Sequence, residues 1–278
     1  MTARPRVEFS NVSHAGLKRK HNEDSAVTDE SMGLALVADG MGGYKSGEVA
    51  SAIAVQVVLD GVREALQSGR KRGKGAELVD GHSPNGQLMR ESITRANKRI
   101  FNAANAIPQC QGMGTTIVAA LFSAHHVTLA HVGDSRIYRY RDNVLKQMTS
   151  DHSLMQEMID RGFYSAEEAL ANTPKNLVTR ALGVEEMVQV DVQEQMLQAG
   201  DIFLLCSDGL NDMVKDEEIS LTLGKYGANL STAAQELVRL ANQNGGKDNV
   251  TVVLARPALS AKQTGGPFTR IKSFLTGG

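Results

Sequence analysis

The chain has 278 residues, 41% of them hydrophobic and 22% charged, with a formal net charge of −1. That is enough apolar material for one large domain or at most two, and the near-neutral balance gives no global field to recruit nucleic acid or an acidic membrane surface. Aromatic residues make up 4% and tryptophan is absent, which argues against a base-stacking platform.

In chain order, the apolar run Leu34–Ala38 reads as a buried strand that ends at Asp39. From about Ser46 to Leu66, the positions Val49, Ile53, Val57, Gly61 and Ala65 recur every four residues beside a parallel row at Ala50, Ala54, Val58 and Val62. That spacing predicts a helix with a broad buried stripe. Residues 69–86 are polar and glycine-rich and read as a loop, and the basic run Arg70-Lys-Arg-Gly-Lys74 within it reads as solvated. A second helix follows, with Met89, Ile93, Ala96, Ile100, Ala103 and Ile107 stepping by four and three.

A strand-rich block comes next: Gly114–Phe122, Val127–Val132, Ile137–Tyr140 and Val144–Met148, short β-prone runs separated by turn residues. Residues 153–190 read as irregular and helical, with Ser165 and Glu168 placed for a capping box. Strand character returns at Ile202–Cys206. Helices at about 216–224 and 231–242 precede a last strand, Val250–Ala255, and Leu230, Ala234, Leu237 and Ala241 line the second of them. This order predicts helices covering the outer faces of packed sheets. The tail over 258–278 is polar and glycine-rich and reads as flexible, although Phe268, Ile271 and Leu275 share one helical face.

Two cysteines far apart, Cys110 and Cys206, read as free thiols and suit a reducing compartment. The N-terminal residues lack the apolar core of a secretion signal, and no stretch approaches the ~18 apolar residues of a membrane span. A cytoplasmic location with no membrane span is expected.

The chemistry lies in four aspartates at the ends of apolar runs: Asp39, Asp134, Asp208 and Asp248. A carboxylate at the end of a buried strand is held rigidly, and several converging there make a cage of hard oxygen ligands suited to Mg²⁺ or Mn²⁺. An Asp-Gly pair alone is weak evidence, because most are plain turns. The chain has four, and those at Asp60 and Asp80 fall in a helical pattern and a polar loop. Asp39-Gly-Met-Gly-Gly43 is stronger, since its glycines let backbone approach a ligand and free the Gly40 carbonyl as a further oxygen donor. One aspartate can bridge two cations, as two-metal hydrolysis needs. The run from Gly16 to Ser25 adds Arg19, a planar donor matched to phosphate oxygens, with Glu23 and Asp24 as further acidic groups. Lys18, Lys20 and His21 read as surface charges.

Five motifs stand in order: Arg19-x-x-Asn22-Glu-Asp24, Asp39-Gly-Met-Gly-Gly43, Gly114-Thr-Thr116, Gly133-Asp-Ser-Arg136 with Asp151-His-Ser153, and Ser207-Asp-Gly209 with Asp248-Asn249. Together they resemble the metal-dependent serine/threonine protein phosphatases of type 2C, in their bacterial form, over roughly residues 8–255. The resemblance implies an α+β fold, an αββα sandwich of two antiparallel sheets flanked by helix pairs, as one catalytic domain over 1–257. It implies two Mn²⁺ or Mg²⁺ ions bridged by Asp39. Asp208 and Asp248 would complete one ion, and the Gly40 carbonyl the other, with Glu23 direct or through water. Asp24 would stand one layer behind. Asp134 with Asp208 matches the positions of a third, weaker ion, and 153–190 would be a flap beside the cleft.

The implied reaction is hydrolysis of phosphoserine and phosphothreonine on proteins by water, opposing a serine/threonine kinase, in a monomer with no nucleic-acid partner. Arg19 and Asp39 are the catalytic candidates. Met41 stands where many relatives have a proton-donating histidine, which leaves His152 or a water as candidate donors. Other readings are a silent phosphoprotein binder, which should have lost carboxylates, and an enzyme dedicated to one phosphoserine regulator. A metal-dependent nuclease finds no basic groove to support it.

Overall fold

The computed structural model describes residues 6–42, 46–68, 83–174 and 177–258. Its strands form two sheets in which every pairing is antiparallel. The first runs in the order β1 (Arg6–His14), β11 (Val250–Ala258), β10 (Ile202–Cys206), β7 (Arg136–Arg141), β8 (Val144–Gln147). The second runs β2 (Asp24–Asp29), β3 (Leu34–Met41), β5 (Ile117–Phe122), β6 (His126–Val132), β9 (Asp191–Met196), with the short β4 (Gly114–Thr115) also paired to β3.

The sandwich follows from how these strands divide their apolar residues. Buried strands are apolar on both faces, so they need cover on both sides. One face of each sheet meets the other sheet through Val37, Val118, Phe122, Phe203, Leu205 and Val253, among others. Phe122 sits edge-on to Phe203 at 5.5 Å and to Phe9 at 6.1 Å, locking the sheets together. The outer face of the second sheet is covered by α1 (Ser46–Gln67) and α2 (Pro84–Ala106). That of the first is covered by α6 (Asp216–Tyr226) and α7 (Leu230–Gln243), beside the single turn α5 (Asp208–Asn211). The expected α+β sandwich is the observed architecture.

Both long helices bury the predicted stripes with adjustments. In α1 the row Ala50, Ala54, Val58 and Val62 is fully buried, whereas Val49, on the companion row, is 42% exposed. In α2, Met89, Ile93, Ala96 and Ile100 are buried, but Ile107 lies just past the helix end and is exposed. The loop read over 69–86 ends earlier than expected, because Ser83 caps α2 and Pro84 opens it. The remainder of that loop, its basic run and the tail from 259 lie outside the described residues.

Between β8 and β9 are two short helices, α3 (Leu154–Asp160) and α4 (Ala166–Asn172). The Ser165–Glu168 capping box is present in full. After α4 the chain returns along the cleft, where the Leu182 and Thr115 backbones exchange hydrogen bonds and Thr179 N–H donates to the His152 carbonyl at 2.8 Å. Among the described residues no helix is long and apolar enough to cross a membrane, and both cysteines are free thiols.

Candidate metal centre

Acidic side chains from distant parts of the chain meet at one edge of the sandwich. Register sets Asp24 of β2 opposite Asp39 of β3. Asp134 occupies the β6–β7 turn, Asp208 opens α5 where β10 ends, and Asp248 stands two residues before β11. A cleft of about 230 Å³ is lined by Arg19, Glu23, Asp39, Asp134, Asp208 and Asp248, with Gly40, Met41, Gly42, Thr116, Val178 and Asn249 completing its wall.

Local chemistry explains each placement. The stretch read as one strand over Gly114–Phe122 is interrupted at Thr116, and the interruption builds the site. Thr116 Oγ1 accepts from the Asp39 N–H at 3.0 Å, a side-chain partner for a backbone donor of the strand. The Asp39 carbonyl accepts from Thr115 Oγ1 at 2.8 Å and from Thr116 N–H at 2.9 Å. Gly40 is the point where the α1 N-terminus and the Glu23 backbone press on β3. A Cβ there would lie 2.2 Å from the Gly47 carbonyl oxygen and 2.6 Å from that of Glu23, so only a glycine fits.

Asn249 ties the Arg19 loop to this floor. Its Oδ1 accepts from Glu23 N–H at 2.8 Å, and its Nδ2 donates to the Ala15 and His21 carbonyls at 3.0 and 2.9 Å. Arg19, its side chain 55% exposed, then reaches over the cleft and donates to Asp248 Oδ2 at 2.7 Å.

The electrostatics are those of a site short of positive charge. Removal from water and the neighbouring Asp24, Asp208 and Asp134 push the Asp39 carboxyl well above its ordinary range. Burial, then Asp134 and Asp212, raise Asp208 to about 8. Burial and Asp151 raise Asp134 to about 6. Glu23 is raised by burial although Arg19 opposes it. Arg19 itself is raised, mainly by its hydrogen bond to Asp248. Like charges held this close are stable only with protons or cations among them.

The structure thus brings together Arg19, Glu23, Asp39, Gly40, Asp134, Asp208 and Asp248. Asp24 stands behind, outside the cleft lining. Its Oδ2 accepts from Thr251 Oγ1 at 2.6 Å and Ser207 Oγ at 2.8 Å, while its buried Oδ1 has no hydrogen-bond partner. Burial raises Asp24 to about 6. Asp60 is the plain helical residue expected, holding Arg63 at 2.8 Å and Gln56 at 2.8 Å along α1, and Lys18, Lys20 and His21 are exposed.

His152 is a correction. It does not line the cleft; its ring stacks on His131 at 4.6 Å, and burial, with His131 and Arg180, lowers it to about 4. A neutral ring so engaged is no proton donor to a leaving group in the cleft. Sequence reasoning passed over the hydroxyls of Ser207 and Thr251 and the clamping role of Asn249. Thr251 leaves a faint signal, a polar residue inside the apolar run Val250–Ala255.

Residues 14–254 match the family model of protein phosphatase 2C. The chain belongs to that family. It is 40% identical over 252 residues to the serine/threonine phosphatase stp of Listeria monocytogenes, which covers 89% of this chain and 94% of that protein. Among solved structures, the serine/threonine phosphatase Stp1 of Staphylococcus aureus superposes with a TM-score of 0.77 at 34% identity, covering 92% of this chain and 97% of the other. The catalytic domain of the phosphatase PstP, in complex with two manganese ions, superposes with a TM-score of 0.75 at 35% identity over 91% of this chain and 98% of that one. The chain is therefore a serine/threonine protein phosphatase of a metal-dependent family.

The donor set of this type 2C phosphatase fits hard divalent cations. Glu23, Asp39, Asp134, Asp208 and Asp248 all offer carboxylate oxygens to the cleft. The carboxyls raise one another's proton affinity, and a glycine that no larger residue could replace lies among them.

Proposed function

We propose that this cleft hydrolyses phosphoserine and phosphothreonine esters of proteins with two Mn²⁺ or Mg²⁺ ions and a third, more weakly held. Asp39 would bridge the pair, Asp208 and Asp248 would complete one ion, and the Gly40 carbonyl with Glu23 the other. Asp134 and Asp208 would hold the third. Bound cations supply an acidified water and positive charge for the phosphoryl oxygens.

The chain's own side chains do the rest. Arg19 offers a planar donor that can leave Asp248 for a phosphoryl oxygen, neutralising charge that grows in the transition state. Asp24, bound to Ser207 and Thr251, stands behind Asp39 and adds to the negative charge that raises its proton affinity. Asn249 fixes the loop that carries Arg19. Met41 lines the cleft but donates no proton, so the departing serine or threonine oxygen takes its proton from solvent. Val178 brings the returning flap to the rim, where a protein substrate would pass.

The observation that carries this reading is the convergence of Glu23, Asp39, Asp134, Asp208 and Asp248 in one cleft faced by Arg19. The natural setting is a monomeric cytoplasmic enzyme that reverses a serine/threonine kinase, without nucleic acid as partner. Phosphate release from a phosphothreonine peptide tests it. Release should need Mn²⁺ or Mg²⁺, stop with EDTA, and fall to background in Asp39→Asn. No release by folded protein with either metal would leave a silent phosphoprotein binder or an enzyme committed to one protein partner.

A further inference from the structure

Asp134 is bracketed by one tripeptide, Asp151-His152-Ser153. On its C-terminal flank Arg136 is gripped by Asp151, Nε to Oδ1 at 3.0 Å and Nη2 to Oδ2 at 2.6 Å. On its N-terminal flank Gly133 rests on His152 twice. The Gly133 carbonyl accepts from the His152 N–H at 3.0 Å, and the Gly133 N–H donates to His152 Nδ1 at 3.0 Å. Gly133 has φ of +106°, and a Cβ there would lie 2.6 Å from Thr116 Cγ2, so the peptide entering Asp134 has one conformation and no slack.

A backbone N–H can only donate, so Nδ1 of His152 must present its lone pair and the ring proton must sit on Nε2. Asp191 Oδ2 lies 3.3 Å from that nitrogen, placed to accept the proton. Arg180 holds Asp191 in turn, Nη1 to Oδ1 at 2.9 Å. The same nitrogen lies 3.0 Å from His152 Nε2, but its two hydrogens have acceptors in Asp191 Oδ1 and, at 3.3 Å, the Gln189 carbonyl, which leaves the Nε2 proton to Asp191 Oδ2. His131 is stacked beneath, its Nε2 at 2.9 Å from the Ser150 carbonyl.

His131, His152 and Asp191 present ligand atoms within 4.8 Å of one another, the composition of a transition-metal site. Two contacts assign the cluster another role. The Arg180 guanidinium already supplies its positive charge. Ligation through His152 Nε2 would also move the ring proton to Nδ1, against the Gly133 N–H.

We propose that His152 is a positioning residue for Asp134. Its Nδ1 lone pair aims the Gly133–Asp134 peptide into the cleft, and Asp191, backed by Arg180, fixes the tautomer that supplies the lone pair. The inference rests on the reading of Asp134 as a ligand of the metal centre. It also links that carboxylate to the flap, because Arg180 and Thr179, which donates to the His152 carbonyl, lie on the returning segment whose Val178 faces the cleft.

The test has two readouts on the full chain. Ring ¹⁵N shifts of the Mg²⁺-loaded wild type should show His152 with Nδ1 unprotonated and Nε2 protonated at neutral pH. Calorimetric titration with Mn²⁺ should show the weakest site in His152→Leu losing about tenfold to a hundredfold in affinity, the usual cost of a lost outer hydrogen bond. His152→Asn, whose Oδ1 can take the Gly133 N–H, should stay within about threefold of wild type. If His152→Leu fails to fold, the half-exposed Asp191→Asn replaces it, and a mixed tautomer with a weakened site is expected. An Nδ1–H tautomer in the wild type, or Mn²⁺ binding equal in His152→Leu and wild type, would overturn the proposal. Asp134→Asn separates the two failures. Unchanged Mn²⁺ binding there would remove Asp134 as a ligand and the proposal with it. A weakened Asp134→Asn beside an unaffected His152→Leu would remove the clamp alone.

Discussion

Two clusters of titratable side chains flank the Gly133–Asp134 turn, and they have opposite solutions to the same problem. On the cleft side, Glu23, Asp39, Asp134, Asp208 and Asp248 face, among the described residues, a single guanidinium, that of Arg19. On the other side, Asp191 faces Arg180, with His131 and His152 neutral between them. Burial opposes ionisation in both. In the second cluster it is overcome at Asp191, which its bond to His152 and the charge of Arg180 hold below the usual carboxylate range. In the cleft it is reinforced by like charge, and Asp39, Asp134 and Asp208 all rise. A closed cluster carries its own cation, and a functional one waits for a cation from outside.

The largest break in that comparison is removal of the carboxylate that faces the others. Asp39→Asn should lower kcat/KM at least about a thousandfold, the size of several kcal/mol of lost charge stabilisation. Steady-state phosphate release at saturating Mn²⁺ checks it, and a loss under tenfold would contradict the bridging role. Next is Arg19→Ala, expected to cost about a hundredfold in kcat/KM, with Arg19→Lys recovering only part because an ammonium lacks the planar fork.

A smaller effect separates the two clusters by the sign of their pH dependence. The histidines are lowered, His152 to about 4, so their contribution is complete above the ordinary histidine value of ~6.5 and is lost as pH falls through the folded value. The cleft carboxyls are raised, Asp208 to about 8, so in metal-free protein their contribution is full below ~pH 4 and is lost as pH rises through the folded values. Above neutrality only the second slope remains. The Tm of EDTA-treated protein should therefore fall by a few degrees between pH 7 and 8.5, and saturating Mn²⁺ or Asp208→Asn should flatten it. A metal-free Tm that climbs over that range would show the cleft is not short of cations. The smallest effect belongs to Asp60→Ala, another Asp-Gly aspartate but one that, among the described residues, is bonded along its own helix to Gln56 and Arg63. Activity should be unchanged and stability shifted by less than about 0.5 kcal/mol by thermal melt.

Much of this was legible in the sequence, and what was missed follows a rule. Asp39, Asp208 and Asp248 stand out because the apolar runs beside them stop or start abruptly, although the strand itself continues past Asp39 to Met41, carried on by pairing with Gly114 and Thr115. Strands β1, β2 and β9 escaped notice. All three are sheet edges, half exposed and carrying polar residues such as Glu8, Asn11, Gln193 and Glu194, so no apolar run marks them. The break at Thr116 was hidden because its cause is a hydroxyl bonded to Asp39, 77 residues away. The second cluster was invisible for the same reason. His131 sits on β6, His152 precedes α3, Arg180 lies between α4 and β9, and Asp191 opens β9; the sheet register between His131 and Asp191 and the backbone bonds of His152 to Gly133 and Thr179 join them. Asp134 looked like one more strand-end carboxylate, and the residues that aim it could be seen only in three dimensions.

On this reading, mutually repelling carboxylates assemble the cleft into a cation site. Calorimetric titration of the metal-free full chain with Mn²⁺ near pH 7, in two buffers of different ionisation enthalpy, tests it most directly. At least two ions per chain should bind with release of protons from the cleft, and Asp39→Asn should lose most of that binding and most of the proton release. Folded protein that takes up no Mn²⁺ or Mg²⁺ at millimolar concentration, or an Asp39→Asn titration that matches the wild type, would contradict the account.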